Sequence, residues 1–379
     1  MIYLDNAATT PPCREAIDAS VFAMSEAFGN PSSLHGLGIQ AEKLIGFSKE
    51  ALARALGGAS KEIVFTSGAT ESNNLAIFGL AENYGRRKKR VVTTAVEHPS
   101  VAEAFKKLSA LGYEVVAVKP DQNGEITADA LVSAVDKNTC LVSAMYVNNE
   151  TGYILPVESA FSRIKKRYPD CMTHCDFVQG LLKLPVKVKS LCADAVSVSG
   201  HKVHAPKGVG ALWIKTGVRV APTTFGGGQQ NGLRSGTEAV PAIYAFGKAV
   251  EAFSGNIAQR LERAALVKKY AVERLSEAGL VINSKENASP YIISAALVGI
   301  KSETLLHFLE AEKIYVSSGS ACSKGKKSAV LTAFGLADAV GDSTIRISLG
   351  FDTEKNDIDS LAEALERASK SLVKSDRGR

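Results

Sequence analysis

No apolar run in this chain approaches the roughly 20 residues that a helix needs to cross a bilayer. The opening Met1-Ile2-Tyr3-Leu4-Asp5 lacks the basic-then-apolar pattern of a secretory leader. The expectation is a cytoplasmic protein with no membrane partner. Cysteine is sparse. Cys13, Cys140, Cys171, Cys175, Cys192 and Cys322 are scattered along 379 positions. Such spacing in a long chain without a leader implies no disulfide framework. Charge of one sign is not in large excess either. There are 45 basic against 39 acidic residues, a net +6. That balance favours phosphate or acidic ligands weakly and excludes a dedicated nucleic-acid binder. The densest basic run, Arg86 to Arg90, falls between a helix and a strand, where a solvated turn accounts for it. No internal repeat is present.

What the chain does contain is ordinary for a soluble enzyme: 45% hydrophobic and 22% charged residues. Its length exceeds one compact core and predicts a large domain with a smaller one. Helices are predicted over 13–27 and 35–56. From residue 62 strands and helices alternate: strands at 62–66, 91–94, 113–118, 139–145, 172–175, 193–198 and 209–214, with helices between them. This order predicts an α/β fold, a mostly parallel sheet covered by helices on both faces. One long helical segment over 240–278 is expected to join it to a small α+β unit. The tail Lys374 to Arg379 is polar and reads as disordered. Cys171-Met-Thr-His174-Cys175 has the look of a metal motif, but on a strand it puts His174 on the face opposite the two cysteines. Buried strand cysteines and no metal are expected.

Ligands of an open α/β sheet lie beyond the carboxyl ends of its strands. The residues there form a series. Ser67-Gly68-Ala69-Thr70 opens a helix, whose free N–H groups suit an anion; the Gly-x4-Gly-Lys spacing of a P-loop is missing. Next come Glu97-His98, then Asn148-Asn149-Glu150, then Asp176 with Gln179 three residues on. Last come Ser199-Gly200-His201-Lys202. A lysine at a strand end can enter a cleft, lose water and act as an amine nucleophile. Asp176 could hold a pyridine nitrogen protonated, and His98 could stack on a ring. The strand ends thus read as a phosphate cradle, a stacking base, a pyridinium partner and a Schiff-base amine, the parts that pyridoxal phosphate (PLP) needs. Farther on, Gly226-Gly227-Gly228 precedes Arg234-Ser235-Gly236-Thr237. Cys322 lies in a small polar stretch beside Lys324, Lys326 and Lys327, cations that would lower its thiol pKa. Arg346, in Thr344-Ile345-Arg346-Ile347-Ser348, suits either a bidentate hold on a carboxylate or a structural ion pair.

These motifs, with Tyr3-Leu4-Asp5-Asn6-Ala7-Ala8-Thr9-Thr10, Phe28-Gly29-Asn30-Pro31 and Thr70-Glu71-Ser72-Asn73-Asn74, occur in order across nearly the whole chain. Together they resemble the class V, fold-type I PLP enzymes, and within them the cysteine desulfurases of the NifS/IscS kind. The resemblance implies a fold-type I PLP-dependent transferase: a large domain over 13–255, and a small domain from 1–12 and 256–379 carrying the cysteine. It implies PLP as cofactor, L-cysteine as substrate and a homodimer.

By the same resemblance, Lys202 would hold the cofactor and move the Cα proton. Asp176 would pair with the pyridine nitrogen, Gln179 with the ring hydroxyl, and His98 would stack on the ring and assist proton transfer. Ala69, Thr70, Ser199 and His201 would hold the phosphate, with Thr237 reaching in from the other subunit. Asn149 and Arg346 would grip the substrate carboxylate. Cys322 would take the sulfur as a persulfide, leaving alanine, and pass it to an acceptor protein, an iron–sulfur scaffold or a tRNA- or cofactor-thiolation enzyme. The short, lysine-rich link after Cys322 departs from the longer apolar links of the family's longer-loop members and favours a dedicated acceptor. The alternative is another class V reaction, selenocysteine lysis or aminotransfer.

Overall fold

A computed structural model describes residues 1–319 and 328–372. Cys322, Lys324, Lys326, Lys327 and the tail from 374 lie outside the described residues. The fold is built on a seven-stranded sheet in the order Ile63–Thr66, Gly210–Ile214, Ala195–Ser199, Met172–Asp176, Thr139–Met145, Arg90–Thr94, Glu114–Val118. Gly210–Ile214 runs antiparallel to both of its neighbours, and the other pairs are parallel. Every residue of Thr139–Met145, Met172–Asp176 and Ala195–Ser199 is buried, as a sheet covered on both faces requires.

The period of two sorts the side chains into separate cores. Val142, Ala144, Cys171, Cys175, Val196 and Val198 enter one cluster, while Leu141, Met172, Ala195 and Leu212 enter another on the opposite face. His174 shares the Met172 face. It is fully buried between Ser143 Oγ (2.8 Å) and Ser197 Oγ (2.9 Å), and burial pushes its pKa down to about 3. No group of three or more His, Cys, Asp or Glu among the described residues can hold a metal ion.

The expected helical segment over 240–278 consists of two helices, Val240–Ser254 and Ile257–Glu277. Gly255-Asn256 interrupts them, both weak helix formers. The first packs on Arg14–Ser25 and Gly36–Leu56, and its Ile243, Phe246 and Val250 join the large core. The second sends Ala264, Val267, Ala271 and Leu275 into a separate cluster.

That cluster lies on a four-stranded antiparallel sheet, ordered Ser317–Ser318, Thr344–Ser348, Ile292–Ala296, Val281–Ile282. The helices Ser302–Ala311 and Lys355–Ser371 also bury their apolar faces there. The N-terminal strand Ile2–Tyr3 pairs in parallel with Ile314–Tyr315, and Asp5 bridges Ser348. The chain then passes from the small sheet to the edge of the large one, where Thr10 N–H bonds His201 O at 2.8 Å. No described helix is long and apolar enough to cross a membrane.

Candidate functional site

One cleft of about 630 Å³ lies at the carboxyl ends of the large sheet's strands. Ala69, Thr70, His98, Asn149, Asp176, Gln179, Ser199, His201, Lys202 and Arg346 all line it. Thr237 is exposed and does not line the cleft of its own chain. These groups are scattered over nearly 280 positions of sequence, and the strand ends of the large sheet, with Arg346 from the small one, bring ten of the eleven candidates among the described residues to one place.

The end of Ile63–Thr66 turns straight into the helix Ala69–Tyr84. Its cap, Gly68, offers no side-chain acceptor, so the first-turn N–H groups face the cleft uncapped. Gly210 of the neighbouring strand has no room for a side chain: a Cβ there would lie 2.6 Å from the Gly68 carbonyl carbon. Glu71 accepts from Ser67 N–H (2.6 Å) and pairs with Arg234 (2.8 Å), tying the 226–237 loop to this turn.

Pro99 opens the helix Pro99–Ala110, with His98 as its cap. His98 Nδ1 accepts from Ser100 N–H at 3.2 Å, which places the ring proton on Nε2. Burial lowers the His98 pKa; the nearby Asp176 opposes this and Lys202 adds to it. The imidazole is neutral at pH 7. Asp176 is buried, and its two carboxylate oxygens are each held: Oδ2 by Asn73 Nδ2 at 2.8 Å, Oδ1 by Val178 N–H at 3.1 Å. Asn73 Nδ2 also donates to Ser100 Oγ at 2.9 Å, and Ser100 Oγ lies 2.9 Å from His98 Nδ1. One amide thus orients both Asp176 and His98.

Glu97, beside His98, is fully enclosed. Its Oε1 accepts from Thr94 Oγ1 (2.6 Å) and Met145 N–H (2.9 Å), and Oε2 has no partner among the described residues. Burial pushes its pKa up to about 8, and Asp176 adds to the rise. The group is mostly a neutral acid at pH 7.

Ala195–Ser199 ends in the single turn Gly200–Lys202. Lys202 Nζ donates to Ala7 O (2.7 Å) and Ala8 O (2.6 Å), so the N-terminal segment receives the ammonium. His201 Nδ1 sits 3.2 Å from Thr9 Oγ1. Burial holds its pKa near 4, with Lys202, Lys207 and Lys183 pushing the same way. Gln179 Nε2 donates to Ala7 O at 3.0 Å, and its Oε1 accepts from Lys183 Nζ at 2.9 Å.

Arg346 comes from the small sheet and is 3% exposed. Its Nη2 donates to Asp5 Oδ1 (2.9 Å) and Ser317 Oγ (3.0 Å), and Nη1 to Asn149 O (3.0 Å). The two uses weighed for it are compatible: it makes a buried ion pair and still faces the cleft. Asn148 serves the turn, its Oδ1 accepting from the Glu150 and Thr151 N–H groups, which leaves Asn149 to the cleft.

Glu97, Asn73 and Asp5 stand in the quoted motifs without an assigned role, and Ser100 and Lys183 are not among the candidates. Asn73 falls one helical turn after Thr70, and Lys183 one turn after Gln179, so an i,i+3 or i,i+4 search from each candidate finds both. Asp5 carries no such signal, because it meets Arg346 across 341 positions.

The class-V aminotransferase family model matches residues 2–361. The cysteine desulfurase IscS of Dictyoglomus turgidum is 38% identical over 376 residues, covering 98% of this chain and 95% of that one. A NifS/IcsS protein homologue of Lactobacillus delbrueckii subsp. bulgaricus is 40% identical over 369 residues, covering 96% and 95%. Among solved structures, a NifS-like protein superposes with a TM-score of 0.92 at 35% identity, covering 98% of this chain and all of the other. The architecture is that of fold-type I PLP-dependent transferases. With a match of this length and relatives of this kind, the chain belongs to the class-V aminotransferase family, in its NifS/IscS-like cysteine desulfurase branch.

Proposed function

We propose that this protein is a PLP-dependent cysteine desulfurase. L-cysteine and the Cys322 thiol become L-alanine and a Cys322 persulfide. The balance closes without an oxidant or reductant: the substrate's Cβ–S bond breaks, the sulfur joins Cys322, and a proton replaces it on carbon. The relatives' names carry the substrate class; the single observation in this chain that carries the reading is the joint placement of Lys202, Asp176 and His98 in one cleft.

The donor set fits PLP by its polarity. The cleft is lined by an uncapped helix N-terminus with Thr70, Ser199 and His201, suited to a phosphate. It is also lined by a buried carboxylate, Asp176, with both oxygens already oriented and no cation as partner in the hydrogen bonds it makes. Such a carboxylate suits a protonated ring nitrogen. When bound, PLP supplies an electron sink for charge developing at Cα.

The chain's own residues do the rest. Asp176 would hold a proton on the ring nitrogen. His98, neutral and with its proton on Nε2, would cover the ring face and pass a proton. Lys202 Nζ would anchor the cofactor and carry the Cα proton, leaving the Ala7 and Ala8 carbonyls to do so. Gln179 would bond the ring hydroxyl. Arg346 and Asn149 hold the substrate carboxylate, and Thr237 of a second copy completes the phosphate site in a homodimer. Cys322 receives the sulfur and hands it to an acceptor protein in the cytoplasm, for iron–sulfur assembly or for tRNA or cofactor thiolation.

The test is to add L-cysteine and a thiol reductant to the PLP-loaded protein and assay alanine and sulfide together. Equal amounts of both are expected. Sulfide without alanine, or neither, sinks the reading.

A further inference from the structure

Lys183 is a buried ammonium, 3% exposed, that nothing above uses. It follows Met172–Asp176 in a helical turn in which the Lys183 and Leu184 N–H groups both bond Gly180 O. Leu181, Leu182 and Leu184 around it belong to the large core. Leu182, directly before it, takes φ 58°, a left-handed conformation that a branched side chain rarely adopts. The chain accepts this strain one step before delivering a cation into an apolar layer. Burial pushes the Lys183 pKa down to about 7, and Lys202 and Arg346 push the same way. A methionine would fill the space without that desolvation.

Among the described residues the Lys183 Nζ has one hydrogen-bond partner, Gln179 Oε1 at 2.9 Å. The two ends of a glutamine amide have almost the same shape and opposite hydrogen-bonding roles. A protonated Lys183 only donates, and Ala7 O at the far end of the amide only accepts. The end of Gln179 beside Lys183 must therefore be the oxygen, and the other end the NH2. One N–H of that NH2 goes to Ala7 O at 3.0 Å, the carbonyl that also accepts Lys202 Nζ. The second N–H remains for the cleft that Gln179 lines.

We propose that Lys183 is a positioning residue: it locks the Gln179 amide so that the cleft meets a donor, suited to an anionic ring oxygen, and never an acceptor. This deepens the PLP reading above and rests on it. Without Lys183 only Ala7 O still selects the NH2 end, and the amide turns over more readily. A turned amide presents oxygen to oxygen, which repels the ligand.

The experiment titrates the apo-protein with PLP, following the quenching of protein fluorescence and the visible spectrum. Wild type, Lys183→Met, Gln179→Ala and the double variant are compared, with apo-protein melting as the folding control. Lys183→Met is expected to weaken PLP about tenfold, the loss of one hydrogen bond to a charged group. It should also move the visible band toward that of Gln179→Ala. The double variant is expected to bind no more weakly than Gln179→Ala, because Lys183 acts through that amide. Lys183→Leu gives the same comparison should Lys183→Met melt early. Additive losses, or a Lys183→Met spectrum and affinity equal to wild type, overturn the role of Lys183 alone. A wild-type protein that takes up no PLP overturns the cofactor reading and this inference with it.

Discussion

The seven-stranded and four-stranded sheets both reach the cleft, and they hold their side chains there by different means. On the large sheet the groups follow strand ends; Asp176 and His98 are held from within the large sheet and its helices, while Lys202, Gln179 and His201 are held by Ala7, Ala8 and Thr9 of the N-terminal segment. Asp176 is set by Val178 two residues on and by Asn73 of the helix that covers its face. His98 is set by Ser100. On the small sheet Arg346 sits in mid-strand and is held from three separate parts of the chain, by Asp5, Ser317 and Asn149. Two of those holders, Ser317 and Asp5, move with the small sheet and one, Asn149, with the large. A displacement between the sheets therefore changes the grip on a carboxylate while Asp176 and His98, the floor for a ring, keep the partners that orient them. Chemistry that must keep a ring still while its substrate comes and goes is served by that division.

The comparison breaks if the floor tolerates losses that the grip does not. The largest effect is expected for Lys202→Ala: the visible band of the loaded protein disappears and alanine formation falls to background, by absorbance and amino-acid analysis. Cys322→Ala is expected to keep the band and lose the protein-bound persulfide, which mass spectrometry reads directly.

Next comes Arg346→Lys. A lysine cannot reproduce the fork that serves Asp5, Ser317 and Asn149 together. Losing a charge-assisted hydrogen bond costs about 2 kcal/mol, so KM for cysteine is expected to rise roughly 30-fold. PLP affinity should change little, and a parallel loss of PLP affinity would show that grip and floor are one unit.

Glu97 sharpens the account of the floor. Its folded pKa, about 8, lies above the unfolded value near 4.5. The folded state then binds the extra proton between those values, so stability is present at low pH and lost as pH rises from about 4.5 to about 8. Glu97→Gln removes that loss. Denaturant melts at pH 5 and pH 8.5 are expected to differ less for the variant, by on the order of 4 kcal/mol, with wild type the weaker at high pH. A wild-type curve that is parallel to the variant's means that Glu97 is already ionised in the fold. The smallest effect belongs to Arg14→Ala. Its pair with Asp18 is exposed on both sides, 82% and 56%, and about 0.5 kcal/mol or less is expected by melting.

Much of this was readable in advance because parallel α/β folds turn sequence order into geometry. Thr139–Met145 matches the expected range to the residue. The continuous apolar runs and the punctuation at Pro99 and Gly57-Gly58 need no tertiary help. The 240–278 segment reads as helical throughout because two amphipathic stretches follow each other with only Gly255-Asn256 between them. What separates them is the core each one joins.

By itself the sequence determined the alternation of strands and helices, and hence which side chains follow strand ends and gather at one edge. Period and turn chemistry are local, and local patterns survive without coordinates. Only the tertiary structure decided that Asp5 secures Arg346, that Asn73 serves both Asp176 and His98, and that an enclosed lysine faces Gln179. Each of those is a meeting of donors and acceptors with fixed directions, and direction is a property of packed neighbours that no single stretch of chain contains.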